Sequence, residues 1–174
     1  MTLLMNPEAP LSRAQKLASG TGAWVTVGVV LVLASTAVEF FAPPLRQLFA
    51  GDVTWRSLVQ TVGAQAVLAT PNVLLAIALW QLKTVLDEYE RANFFTNRAS
   101  HAVRRAGEWA LWAMGYKIVA AGTLYGWIMQ TSRGIDINYE SFDLGLIAFA
   151  GFVMLAGRVL EAATAIKQEN DQIV

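Results

Sequence analysis

Four charged residues lie three or more positions inside the ends of long apolar runs of this sequence, where a charge is costly to leave without a partner. They are Glu39, Lys117, Arg158 and Glu161. A charged side chain at the middle of a membrane helix costs about 2.5–3.5 kcal/mol on insertion scales, so such residues usually pair or mark a functional pathway. Arg158 and Glu161 are three residues apart and share a helix face, and we expect Lys117 to reach Glu161 from a neighbouring helix.

Two chemical interpretations of the cluster of Lys117, Arg158 and Glu161 remain open. The first is a structural ion pair that fixes one helix against another, with the long basic side chains extending toward the interface. The second is a proton or ion relay, or an anion site around the two basic groups. We prefer the structural interpretation, because a relay usually needs a longer series of titratable groups. Glu39 lies near the end of its apolar run, and we expect it to reach the headgroup layer.

These residues are positioned by four apolar runs, each long enough to cross a membrane as a helix. The runs cover about residues 20–42, 58–82, 107–130 and 142–166. With a rise of about 1.5 Å per residue, each spans a hydrocarbon core of about 30 Å. Hydrophobic residues make up 55% of the chain and charged residues 15%, so little remains for a soluble domain. The sequence predicts an all-α polytopic membrane protein, a single bundle of four transmembrane helices over residues 1–174.

Prolines lie directly after the first run and near the middle of the second. Pro43 and Pro44 are predicted to end the first helix, and Pro71 is predicted to kink the second. The first run also lacks a small-x-small cleavage site at its end, so we expect a retained helix rather than a signal peptide.

The distribution of Lys and Arg predicts the orientation. The amino-terminal tail, the polar segment 83–106 and the carboxyl-terminal tail together hold eight of these residues, whereas the other two connections hold three. The positive-inside rule then places both termini and the 83–106 loop in the cytoplasm. Three basic residues of that loop, Arg98, Arg104 and Arg105, are predicted to contact anionic lipid or a protein partner. Determination of topology alone also accounts for their charge.

Glycines in the third run offer a surface for close helix packing. Gly122 and Gly126 form a Gly-x-x-x-Gly pattern, and Gly115 lies seven residues before Gly122. Small residues at such spacing let two helix backbones approach each other. We expect these glycines in a seam within the bundle, and the alternative is a seam between two copies of the chain.

Composition and motifs exclude several classes of function. The chain contains no cysteine and one histidine, His101, and its formal net charge is +0. Disulfides, thiolate metal sites and a global basic field for nucleic acid are therefore absent. No phosphate-binding loop, nucleophile elbow or zinc-protease motif occurs. We predict no catalytic residues, no metal, no cofactor, no direct binding of nucleic acid and no enzymatic activity.

Two segments resemble a family of small bacterial membrane proteins, domain of unknown function 2975. The first joins Phe95-Thr96-Asn97-Arg98 to Val103-Arg104-Arg105-Ala106-Gly107, and the second is Ala165-Ile166-Lys167-Gln168-Glu169-Asn170-Asp171. The resemblance implies a four-helix protein of the bacterial inner membrane without an assigned reaction. It also implies a partnership with small helix-turn-helix regulators.

Two functions from different classes follow from the sequence. The first is a non-enzymatic regulatory or accessory subunit, which contacts a cytoplasmic or membrane partner through the 83–106 loop and the carboxyl-terminal tail. The second is a small transporter or ion-coupled channel that uses Lys117, Arg158 and Glu161. In both cases the lipid bilayer surrounds the helices.

Overall fold

The computed structural model describes residues 8–51, 54–91 and 96–171, with the side chains of residues 20–51, 54–91 and 96–170. Every regular element in these ranges is helical, which confirms the predicted all-α class. A single π-helical turn, Tyr116–Ala121, joins α3 to α4, and the residues on both sides of it keep right-handed helical dihedral angles. The helices are α1 (Glu8–Ala50), α2 (Trp55–Glu90), α3 (Asn97–Gly115), α4 (Gly122–Met129) and α5 (Ser141–Asp171).

The first helix does not end at Pro43 and Pro44, as the sequence predicted, but continues to Ala50. Proline removes a backbone hydrogen bond, yet membrane helices tolerate it where neighbouring groups support the backbone. The residue directly after the helix, Gly51, has a φ of 79°, the left-handed conformation that commonly follows a helix. Glycine, not proline, therefore sets the end of α1.

Two contacts fix the antiparallel register of α1 on α2. Near one end, the side-chain amide of Gln47 donates to the Thr61 hydroxyl over 2.8 Å. Near the other end, a Cβ added at Gly22 would lie 3.9 Å from the Leu86 Cβ. Because α1 extends to Ala50, Glu39 lies about 16 Å from the helix end, which is deeper than the sequence indicated.

The second helix continues through Pro71 and ends at Glu90. The Thr70 hydroxyl donates to the Ala66 carbonyl oxygen over 2.9 Å in the turn before the proline. The segment 83–106, predicted as a loop, is therefore mostly helix. Its second half forms the start of α3, where the Thr96 hydroxyl caps the helix by accepting a hydrogen bond from the Ala99 N–H over 3.1 Å.

Three helical segments are long and apolar enough to cross a membrane: Gly20–Ala50, Trp55–Glu90 and Ser141–Asn170. The remaining apolar run, the third along the chain, lies in the helix that the π turn divides. In that helix α3 begins with polar turns and α4 has 8 residues. By itself, α3 is too polar to count as a membrane span, and α4 is too short.

The helices pack in an open row. α1 packs on α2, α2 packs also on the helix formed by α3 and α4, and α5 packs on α3. Within the described residues, no contact between α1 and α5 closes the row into the predicted bundle. The reason is that the helix packing of α5 is on α3, on the side away from α1. An apolar cavity of about 200 Å³ lies where α2 and α5 flank α3.

The closest helix contact joins α3 and α5 through two glycines. A Cβ added at Gly107 would lie 2.5 Å from the backbone nitrogen of Met154, and one added at Gly157 would overlap the backbone of Arg104. Backbones can approach this closely only where no side chain intervenes. The two contacts set one antiparallel register, in which Gly107 faces Met154 and Gly157 faces Arg104.

We predict that Gly107→Ala and Gly157→Ala each lower the free energy of unfolding by about 1–3 kcal/mol, the usual cost of overpacking a tight contact. Alanine has the higher helix propensity by about 1 kcal/mol, so a loss of stability identifies the clash. Gly151→Ala is the matched control in the same helix, because a Cβ there meets nothing within 4 Å. Thermal unfolding in detergent measures all three, and equal stability of the three variants would contradict the close contact.

Candidate functional site

An ion pair joins the π turn to the first turn of α5. The Lys117 ammonium lies 2.6 Å from Asp143 Oδ1, and the side chain of Asp143 is 2% exposed whereas that of Lys117 is 44% exposed. Asp143 Oδ2 accepts a hydrogen bond from the Glu140 N–H over 3.1 Å. One carboxylate thus neutralises the lysine and caps the amino-terminal end of α5.

The π turn determines where Lys117 and the residues after it point. Its backbone holds one more residue per turn than an α-helix, so the following side chains are rotated by about 100° relative to an uninterrupted helix. Single π turns within α-helices are frequent at functional sites. Here the turn carries Lys117 itself, and it turns one face of α4 toward the connection between α4 and α5.

That connection folds back along α4. The Thr123 hydroxyl accepts a hydrogen bond from the Asp136 N–H over 3.0 Å. One turn later, the Trp127 indole N–H donates to the Gly134 carbonyl oxygen over 3.3 Å. These bonds satisfy backbone groups that are outside any helix, which is the requirement for non-helical chain near a membrane interior. The fold-back also brings α5 to the level of Lys117.

The structure does not place Gly115, Gly122 and Gly126 in a seam between helices of one chain, and the alternative seam between two copies stays a prediction. A Cβ added at Gly115 would meet nothing within 4 Å. A Cβ at Gly122 would lie 3.1 Å from the Asp136 carbonyl oxygen, and one at Gly126 would lie 3.1 Å from the Ser132 Cβ. Gly122 and Gly126 therefore accommodate the connection, because the π turn rotates them away from the α3–α5 seam.

A second charge cluster lies at the amino-terminal end of α3. Arg104 donates to Glu161 through Nε over 2.9 Å and to Glu108 through Nη1 over 2.6 Å. His101 Nδ1 lies 2.6 Å from the same Glu161 oxygen. The hydrogen bond that Arg104 donates to Glu161, followed by the charge of Glu108, raises the pKa of Arg104 above its usual value. The guanidinium therefore stays charged, and the cluster ties α3 to α5 next to Gly157.

The structure does not assemble Lys117, Arg158 and Glu161 into one cluster, so that expectation is corrected. Lys117 binds Asp143, and Glu161 binds Arg104. Arg158 is exposed and forms no ion pair within the described residues. The physical reason is the alignment of α3 and α5 that Gly107 and Gly157 set. In this alignment the third and fourth apolar runs do not begin and end at the same level, and Lys117 and Glu161 lie about 25 Å apart along the helix axes.

The three arginines predicted to contact lipid or a partner differ in their surroundings. Arg104 is engaged by two carboxylates, as described above. Arg98 lies 3.3 Å from the Glu88 carboxylate, and its side chain is 70% exposed whereas that of Glu88 is 8% exposed. Arg105 is exposed beside Glu108 and the rings of Trp109 and Trp112. Arg98 and Arg105 thus remain available at the surface.

Chemically, this arrangement holds helices in place and neutralises charges. Asp143 and Glu161 each bind a basic group on the neighbouring helix, which stabilises two different levels of the α3–α5 pair. Among the side chains of residues 20–51, 54–91 and 96–170, no group of three His, Asp or Glu residues is placed to hold a metal ion.

Sequence reasoning did not identify Asp143, Asp136 or Gly157. Asp143 carried a usable signal: it follows Glu140 by three residues at the start of an apolar helix, the spacing at which a carboxylate bonds back to the first N–H of the helix. Gly157 was one of several small residues in the fourth run. Nothing in its local sequence distinguishes it from Gly151, which faces open space.

Comparison with known proteins gives one match. A family model described as a protein of unknown function, DUF2975, matches residues 62–174, which is more than half of the chain. No curated protein matches the chain, and no solved structure does.

We predict that Lys117→Met lowers the free energy of unfolding in detergent by about 1–3 kcal/mol, less than the loss for a fully buried pair because the lysine is partly exposed. Asp143→Asn should have a similar effect. The double variant should lose less than the sum of the two single losses, since no carboxylate or ammonium is left without its partner.

Glu161→Gln is the matched control for this cycle. Its loss should add independently to that of Lys117→Met, because the structure places the two side chains at different levels. Two outcomes would contradict the ion pair between Lys117 and Asp143. One is that the stability losses of Lys117→Met and Asp143→Asn simply add in the double variant. The other is that the losses of Lys117→Met and Glu161→Gln do not add.

Proposed function

Because the chain belongs to the DUF2975 family of proteins of unknown function, we propose its role from its own geometry. It is a non-enzymatic integral membrane protein that acts as a regulatory or accessory subunit and contacts a membrane complex or a small helix-turn-helix regulator. It spans the inner membrane of a bacterium four times, and both termini and the turn between α2 and α3 lie in the cytoplasm.

The open row of helices is the observation that carries this proposal. The two edge helices, α1 and α5, each pack on a single neighbour and present large apolar side chains over much of their length. Such surfaces mark contacts with lipid or with other helices. A subunit that docks beside a larger membrane protein needs lateral surfaces of this kind. Those most exposed on the two edge helices include Trp24, Val38, Phe49, Phe142, Phe152 and Val159.

The polar surface that a cytoplasmic partner could contact lies at one end of the helices, and the α4–α5 connection lies toward the other end. Arg98 and Arg105 are exposed on this polar surface, and so are residues 165–170 at the end of α5. The eight-to-three division of Lys and Arg supports the cytoplasmic placement of this side. The helix from Asn97 to Met129 supplies the remaining span, with the π turn inside it.

The second candidate function is ion-coupled transport, and the pair of Lys117 and Asp143 is the observation that favours it. Charged pairs beside an irregular helix turn occur along ion pathways in membrane proteins. Arg158 and Glu161, which the transport hypothesis also used, lie at another level. The open row supplies no enclosed path, so the subunit role is preferred.

Orientation is tested with single cysteines, because the chain has none of its own. Thr54→Cys and Ser132→Cys should react with a membrane-impermeant maleimide added to intact cells, since both lie in connections predicted to be outside. Arg98→Cys should react only after the membrane is opened. Labelling of Arg98→Cys in intact cells would contradict the orientation.

The subunit role predicts a stoichiometric partner that co-purifies with the full chain after mild solubilisation of the native membrane. Reconstituted alone in liposomes, the protein should move no proton or monovalent cation above the level of empty vesicles. A saturable flux that Asp143→Asn abolishes and the exposed Glu140→Gln keeps would favour transport instead.

A further inference from the structure

Glu39 is a carboxylate inside a membrane-spanning helix for which the structure supplies no counter-charge. It lies within the apolar segment Gly20–Ala50, about 16 Å from the carboxyl end and about 28 Å from the amino end. Its side chain is exposed, and it forms no ion pair within the described residues. Ionisable residues at such depth nearly always have a partner, so the partner of Glu39 is to be sought outside the chain.

The carboxylate lines a groove between α1 and α2. This cavity of about 320 Å³ is bounded by Thr36, Glu39, Phe40 and Gln65 among others, and Ala69 lies beside Glu39 in the helix register. A neighbouring cavity of about 440 Å³ continues along the same helix pair. The groove therefore combines an acidic group with apolar walls, and among the described helices α1 packs on α2 alone.

Among the side chains that the structure describes, a second copy of this chain offers no free basic group at the depth of Glu39. Lys117 is the basic residue near mid-membrane depth, and it is held by Asp143 at 2.6 Å. Arg158 is exposed, but it lies close to the level of Arg104, nearer the proposed cytoplasmic side. Phospholipids carry their charges in the headgroup layer, so they do not neutralise a carboxylate at this depth either.

We propose that the groove around Glu39 binds a transmembrane helix of the partner subunit, and that this helix carries a lysine or arginine level with Glu39. The charge complementarity selects the basic residue, and the apolar walls of α1 and α2 receive the side chains on either side of it. This inference rests on the proposed subunit role, and it names the surface and the chemistry through which the partner is recognised.

The test uses the full chain in phosphatidylcholine vesicles with a defined probe, a polyleucine transmembrane peptide that carries one central lysine. A donor dye on Thr54→Cys and an acceptor on the peptide report association by energy transfer. Thr54 is suitable because it is exposed and its side chain makes no capping hydrogen bond. The lysine peptide should associate about tenfold more strongly than an all-leucine peptide.

Glu39→Gln should abolish this preference, and the exposed Glu140→Gln should keep it. If Glu39→Gln folds poorly, the charge exchange provides an independent measurement: Glu39→Lys should prefer a peptide with a central glutamate. Equal association of the lysine and leucine peptides with the unmodified chain, or a lysine preference that survives Glu39→Gln, would overturn the proposal. Energy transfer between two copies of the chain that requires Glu39 would also overturn it and identify a second copy as the occupant.

The two proposals fail in different ways. A native partner that co-purifies equally well with Glu39→Gln would leave the subunit role in place and remove the groove as its docking site. Loss of that partner with Glu39→Gln, but not with Glu140→Gln, supports both.

Discussion

The register of α5 against α3 determines most of the other interactions in this protein. It depends on the absence of a side chain at two positions, Gly107 and Gly157, where the backbone of one helix lies directly on the other. Once these contacts are made, each residue of α5 lies opposite one particular position along α3. Lys117 then meets Asp143 and Arg104 meets Glu161 as consequences of that register. The ion pairs stabilise an alignment that the glycines select.

Sequence reasoning identified the elements better than their alignment. The four apolar runs correspond to helical segments, and the family is confirmed. Lys117 was correctly recognised as a residue that needs a partner, but the partner was wrong because two apolar runs were assumed to start and end at equal depth. Hydropathy reports which residues avoid water, whereas depth relative to a neighbour depends on backbone contact and on the π turn. Neither leaves a pattern in a single sequence.

The intramembrane charges fall into two groups with different physical roles. The carboxylates of Asp143 and Glu161 each accept a hydrogen bond from a basic side chain of the neighbouring helix, Lys117 and Arg104 respectively. Glu39 does not, and it lies on a helix with a free side. The two edges of the helix row therefore differ: the carboxylates of α5 are paired with basic groups, whereas Glu39 of α1 has no such partner among the described residues. That difference is consistent with an assembly in which α1 is the side that meets another protein.

The fold-back of the α4–α5 connection also has a consequence for the surrounding bilayer. Because α5 begins near the level of Lys117, α4 projects about 15 Å beyond the start of α5 at one end of the helices. At the other end, α5 extends well past the first turn of α3. The apolar surface of α5 is therefore displaced along the helix axes relative to the apolar surface of α1 and α2. A bilayer adapts to such hydrophobic mismatch by local thinning, by bending of its surface or by tilt of the helices.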